Sequence, residues 1–253
     1  MNINKFALGA LAVSAILTLN ISASASTFTF KDTYVAFPGY PAETPWGTVD
    51  EYGYPKIESM TVTLNDTNSL LTKVVLNLTD PTIIRWDSLF INTSYVNLPG
   101  NLSDVSTWDQ SWDYFVHSGG TTTTYRTGQT FSGDIQTGNG LYSVKNTFNY
   151  QTDYTKVNGA RDGHPDGIDK DFLEFKSSIV GEQDKLTITY DFSTFSGGIA
   201  IGNGFTIGYT PWCANEVFLA SAPVPEPATM LLFGSGIIGL AGLVRNRKKQ
   251  KES

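Results

Sequence analysis

Thiol and imidazole chemistry is almost missing from this chain of 253 residues. Cys213 is the single cysteine, and His117 and His164 are the two histidines. One cysteine permits no internal disulfide, although it permits a bridge to another chain. Without clustered Cys and His, a structural zinc site is not expected either. Basic residues are scarce where a nucleic acid would need them. Setting aside Lys5 and the five basic residues after Val244, with Glu226 and Glu252, leaves 11 basic and 22 acidic residues in the body. Its arginines, Arg85, Arg126 and Arg161, are far apart, so no stripe faces a phosphate backbone. Catalytic signatures are missing too. The chain has no Gly-x-Ser-x-Gly elbow, no His-Glu-x-x-His helix and no phosphate-cradling glycine loop. The expectation is a protein that is not an enzyme. A pair of carboxylates across a cleft, as in glycoside hydrolysis, is the one chemistry that motif searches do not test.

What is present begins at the two ends. Lys5 precedes the apolar run Phe6 to Leu19, and Ala23-Ser24-Ala25 supplies the small residues a signal peptidase needs. Residues 1–25 therefore read as a signal peptide. At the other end, Val224-Pro225-Glu226-Pro227 is a stiff punctuation. An uncharged run to Val244 follows, then Arg245, Arg247, Lys248, Lys249 and Lys251. The run predicts a transmembrane helix over 228–244, near the short limit for crossing a bilayer, with the basic block on the cytoplasmic side. Gly234, Ser235, Gly236, Gly239 and Gly242 thin that helix and weaken it as a permanent anchor.

Between the ends, residues 26–221 make one body large enough for a single core. Met60-Val62-Leu64 alternates with Ser59-Thr61-Thr63, and Val74, Leu76 and Leu78 alternate in the same way. Asn65 to Asn68 makes the turn between these strands, and Ile83 to Ile91 continues them as a meander. Further strands are expected over Thr27 to Phe37, Ser111 to His117, Thr121 to Tyr125, Tyr142 to Asn149, Ile168 to Phe175, Leu186 to Phe192, Phe205 to Tyr209 and Glu216 to Leu219. Gly119-Gly120 would hinge the pair on either side of it. About ten strands without helical periodicity predict an all-β fold, a single β-sandwich of jelly-roll or immunoglobulin-like topology.

Two stretches invite a binding reading. Asp162, Asp166, Asp169 and Asp171 crowd one loop with Gly163 and Gly167, a supply of hard oxygens that suits calcium. The spacing departs from an EF-hand, since His164 takes the third position and Glu174 falls past the twelfth. A solvated acidic loop is the plainer alternative. Trp108, Trp112 and Tyr114, interleaved with Asp104, Asp109 and Asp113, could stack on a sugar ring of a matrix polysaccharide. Burial of the same rings in a sandwich core is the competing reading.

The C-terminal run, from Val224-Pro225-Glu226-Pro227 through Leu231-Leu232-Phe233-Gly234 to Arg245–Lys249, resembles the PEP-CTERM sorting domain of Gram-negative bacteria. On that resemblance residues 222–251 are a sorting signal and an exosortase-type membrane protease is the partner. The protein is then expected at the cell surface or in an exopolysaccharide or biofilm matrix, or held at the inner membrane if unprocessed. Its role is expected to be structural or adhesive, with carbohydrate binding as the alternative. The body resembles other exported proteins with this tail only through Phe205 to Val217, which carries over no activity.

Overall fold

The computed structural model describes residues 25–33, 35, 56–81, 86–100, 102, 111–119, 122–124, 130–132, 138–145, 172–211, 217–224 and Gly236. In chain order the strands are β1 (Thr27–Lys31), β2 (Ile57–Leu64), β3 (Leu70–Leu78), β4 (Trp86–Asn92), β5 (Tyr114–Gly119), β6 (Thr122–Thr124) and β7 (Thr130–Ser132). Then come β8 (Gly140–Val144), β9 (Leu173–Ser177), β10 (Glu182–Asp184), β11 (Thr187–Asp191), β12 (Ile199–Ala200), β13 (Gly204–Pro211) and β14 (Phe218–Pro223).

These strands build two six-stranded sheets and a small hairpin. The first sheet runs β1-β2-β3-β11-β10, with β12 sharing the β11 edge of β3; the second runs β14-β13-β4-β5-β8-β9. All their ladders are antiparallel. Met60, Val62 and Leu64 of β2 and Val74, Leu76 and Leu78 of β3 meet Leu89, Ile91, Val116, Ile207 and Tyr209 of the second sheet in one core. The all-β sandwich expected from the alternation is therefore present. Its two sheets together hold twelve strands, more than the seven to nine of immunoglobulin folds or the eight of a jelly roll.

Local chemistry explains the β2–β3 hairpin. Asn65 Oδ1 accepts the N–H groups of Ser69 and Leu70 at 2.9 and 3.0 Å, and Asn68 takes a left-handed φ of 56°. Asparagine tolerates that conformation better than most side chains. Two register shifts keep the apolar side of the hairpin facing in. One lies between Ile57 and Ser59, the other between Thr63 and Leu64. Each inserts an extra residue, so Ile57 and Met60, and likewise Leu71 and Val74, share the core face although they are three apart.

The second sheet is covered on both faces. All eight residues of β13 are buried. Its inner residues face the inter-sheet core. On its outer face, Phe90, Trp112, Phe115, Val144, Leu173, Val217 and Leu219 form a second cluster with Val35, Leu98 and Leu102. Val35 and Leu102 make an isolated parallel bridge there.

Several expectations need correction. The three strands after Ile57 do not form a meander: β2 and β3 pair, but β4 crosses to the other sheet. Asp80-Pro81 ends β3, because proline lacks the N–H to extend the ladder. Strands β5 and β6 are not a hairpin about Gly119; β5 lies between β4 and β8, and β6 pairs β7. The expected transmembrane helix over 228–244 is also overturned. Among the described residues no helix is long and apolar enough to cross a membrane, and of that stretch only Gly236 is described. The signal peptide over 1–25 falls outside the described residues apart from Ala25.

Strand β1 closes one flank of the sandwich. Phe28 and Phe30 both set their rings edge-on to Phe205 of β13, with centroids 5.4 and 6.2 Å away. Phe205 is fully buried. Replacing Phe205 with Ala should therefore cost about 3–5 kcal/mol. Chemical denaturation should show that loss, with β1 amides exchanging hydrogen faster than those of β3.

Candidate functional site

The most unusual chemistry lies where β4 and β5 pair, on both faces of the second sheet. Alternation sends Asp87, Leu89 and Ile91 inward and Ser88 and Phe90 outward. Cross-strand register sets Asp87 opposite Ser118 and Pro211, and Ser88 opposite His117 and Thr210. Seven buried polar side chains occur among the described residues, and Asp87, Ser88, His117, Ser118 and Thr210 are five of them.

On the inner face Asp87 sits between the sheets. Tyr209 Oη donates to Asp87 Oδ2 at 3.3 Å, and the Gly181 N–H bonds Ser118 Oγ at 2.7 Å. Tyr190, from the opposite sheet, lies beside the same carboxyl. Asp87 Oδ1 and Tyr190 Oη nevertheless lack a hydrogen bond of ordinary geometry. Burial pushes the Asp87 carboxyl up to about 6, against the pull of the neighbouring Tyr190, Ser118 and Tyr209 hydroxyls. The Tyr190 hydroxyl is pushed well above its ordinary value, first by burial and then by Asp87.

The outer face carries a short polar row, Thr210–Ser88–His117, across three strands. Thr210 Oγ1, Ser88 Oγ and both His117 ring nitrogens are buried without hydrogen bonds of ordinary geometry, although the His117 ring lies near the Asp87 backbone. Burial lowers His117 to about 4. Next to this row runs an aromatic ladder in continuous register: Phe90, Phe115, Tyr142 and Phe175 on β4, β5, β8 and β9. Successive ring centroids are 5.1, 6.5 and 5.5 Å apart. The ladder begins fully buried and ends at Phe175, which is 57% exposed.

This arrangement does not build a nucleophile. Ser88 and His117 are cross-strand neighbours, but no hydrogen bond joins them and neither reaches solvent. A neutral imidazole with so low a proton affinity is a weak base for a serine hydroxyl. Asp87, the natural orienting group, lies on the other face of the strand.

The structure separates the residues expected to stack on sugar. Trp112 precedes β5 and is buried, its ring 5.5 Å from Phe90 in the outer cluster. Tyr114 points to the opposite side, half-buried against Phe195 at 6.4 Å. Asp113, expected to flank them, accepts the Thr93 N–H and hydroxyl at 2.7 and 2.6 Å. Trp108, with Asp162, Asp166, Asp169 and Asp171, lies outside the described residues. Among the described residues no group of three or more His, Cys, Asp or Glu side chains could hold a metal ion.

The body ends in an ordered join to its tail. Val224 is buried, and its N–H bonds the Asn203 carbonyl at 2.9 Å. Pro225, Glu226, Pro227, Arg245, Arg247, Lys248 and Lys249 lie outside the described residues. Residues 223–248 match the family model of the PEP-CTERM protein-sorting motif. The chain carries a PEP-CTERM sorting motif. That motif implies processing by an exosortase-type protease and an exported, surface-associated protein. No curated protein and no solved structure matches the chain.

The buried polar groups give a testable pH dependence. Asp87 has a folded pKa near 6 against 3.8 unfolded, so its contribution is full below about pH 4 and lost as pH rises through 6. His117 has the opposite sign: its contribution is present above 6.5 and lost as pH falls through about 4. Asp32, partly buried and also raised to about 6, adds to the loss on the alkaline side. Between about pH 4 and 6 the two carboxyls lose stability while the imidazole gains it, so on balance stability should fall as pH rises through that window. Asp87→Asn should remove most of the decline between about pH 4 and 7, about 2 kcal/mol. Denaturation midpoints across that range would show it, and an Asn variant with the same slope as the parent would contradict it.

Proposed function

We propose that this protein is a non-catalytic module of the bacterial surface or extracellular matrix, delivered by its PEP-CTERM motif and structural or adhesive in role. The observation that carries this reading is the join at Val224. The motif begins at residue 223, where the last strand of the sandwich ends. The sorting signal thus attaches directly to a folded β body, with no intervening domain between β14 and Pro225.

The chemistry of the body supports the same reading. Asp87, a carboxyl shifted toward neutral pH, is sealed between two sheets and has no access to substrate. A glycoside-active site would need such a group on a cleft facing a second carboxylate. Carbohydrate binding through Trp108, Trp112 and Tyr114 is the weaker alternative, because Trp112 and Tyr114 are committed to different packed clusters. For the acidic loop we retain calcium as a proposal only, with a structural role in stiffening it.

Intact mass of the protein recovered outside the cell tests the processing. Because Val224 is held by Asn203, the mature C-terminus should fall after Val224, at or shortly beyond Pro225. Removal of all residues after Val224 should leave a folded body and abolish its surface retention. A truncated protein still retained in the same amount would overturn the proposed role of the tail.

A further inference from the structure

Strand β9 is the end of the second sheet, and its outer edge has no strand beside it among the described residues. Unpaired N–H and C=O groups on such an edge can template another strand. Its sequence, Leu173-Glu174-Phe175-Lys176-Ser177, reads the same in charge pattern when reversed with sign change about Phe175. We propose that β9 is a self-association edge, pairing antiparallel with β9 of a second copy about a two-fold axis through Phe175. This goes beyond the surface role proposed above and does not depend on it.

An antiparallel pair centred on Phe175 places Glu174 directly opposite Lys176 of the second copy, and Lys176 opposite its Glu174. Both contacts join opposite charges, which stabilises directly opposed residues. The same two groups now satisfy each other within one strand, with Lys176 Nζ 2.9 Å from Glu174 Oε1. The exchange therefore trades two intrachain contacts, one in each copy, for two interchain ones, so the copies are joined without loss of ion pairing. On the other side of the strand the two Phe175 rings meet. Each is held in place already: its ring stands edge-on to Tyr142, and a Cβ at Gly140 would come within 2.8 Å of Phe175 Cε2. Gly140 thus allows the ring to lie against the backbone, at a φ of 145° that side chains rarely adopt. A large apolar ring, exposed and already ordered, loses little freedom on docking.

Two other free strand edges fit a second copy less well. Strand β10 is three residues long and carries Glu182 and Asp184, so like charges would face each other. Strand β14 ends in Pro223, which has no N–H to donate. The β9 contact is small compared with the roughly 1,200–2,000 Å² buried in stable interfaces. Association should consequently be weak and concentration-dependent, suited to a crowded surface or matrix.

Sedimentation of the exported protein over a concentration series tests the edge directly. The wild type should dimerise reversibly. Glu174→Lys and Lys176→Glu should each weaken dimerisation about tenfold or more, since two attractive pairs become repulsive. The double exchange should restore it, and so should mixing the two single variants, which are complementary to each other. Both residues are exposed, and circular dichroism should confirm unchanged folding in every variant. A wild type that remains monomeric up to about 1 mM would overturn the proposal. So would a dimer indifferent to the reversals, or one not recovered in the mixture.

Discussion

Everything in this body depends on burying one sheet from both sides. An antiparallel sheet commonly faces a core on one side and water on the other. Here the second sheet packs inward on the first and outward under Val35, Leu98 and Leu102. Its central strands therefore cannot use a polar face, and β13 is buried along its whole length. Polar side chains in such strands must find partners or bear the cost of desolvation. Thr206 does so through Ser221 Oγ at 2.8 Å and the Val96 N–H at 3.2 Å. Ser88, His117 and Thr210 make no side-chain hydrogen bond of ordinary geometry, so the strands that knit the fold together also hold its most costly groups.

The two faces of β4 illustrate how little of that is decided by residue type alone. Asp87 and Ser88 are chain neighbours, yet one lies in the inter-sheet core and the other in the outer cluster. The carboxyl is favoured neutral and the imidazole opposite Ser88 is also favoured neutral. Burial pushes both groups toward their neutral forms, from opposite directions, by raising the acid and lowering the base. The aromatic ladder from Phe90 to Phe175 shares that environment and carries it out to the sheet edge.

Alternation made the β2–β3 hairpin legible, because Met60-Val62-Leu64 and Val74-Leu76-Leu78 each keep a strict period of two. The register shifts next to Ile57 and Leu64 were not legible, since an inserted residue breaks the very period that reveals a strand. The two-sided burial of β13 hid in the same way. Phe205-Thr206-Ile207-Gly208-Tyr209 reads as a half-polar strand, and only the tertiary cover shows that Thr206 and Gly208 are interior. Short β10 and β12 have too few residues for any period. The spacing of Trp112 and Tyr114 suggests one shared sugar-stacking face, but Trp112 stands before β5, where strand alternation does not apply. The tail was the most legible feature, because unlike local features in fixed order need no tertiary context. The buried Asp87 and His117 had no sequence signal beyond being polar in strand-like runs.

The order in which the strands meet has a consequence for export. Tyr209 reaches Asp87 across 122 residues, and Val96 reaches Ser221 across 125. Contacts of such range form slowly, because the intervening chain must be closed into a loop first. Strand β4 gains its neighbour β13 only when residues near 211 are available, and β14 comes last. For a chain that crosses a membrane from its N-terminus, the second sheet stays unfinished until the sorting motif itself is emerging. Until then β4 and β5 hold apolar faces and a free edge without their final cover, the condition in which β-rich chains aggregate. Completion of the fold and arrival of the tail are thus nearly simultaneous events, and a chaperone or rapid transfer at that moment would matter more than at any earlier one.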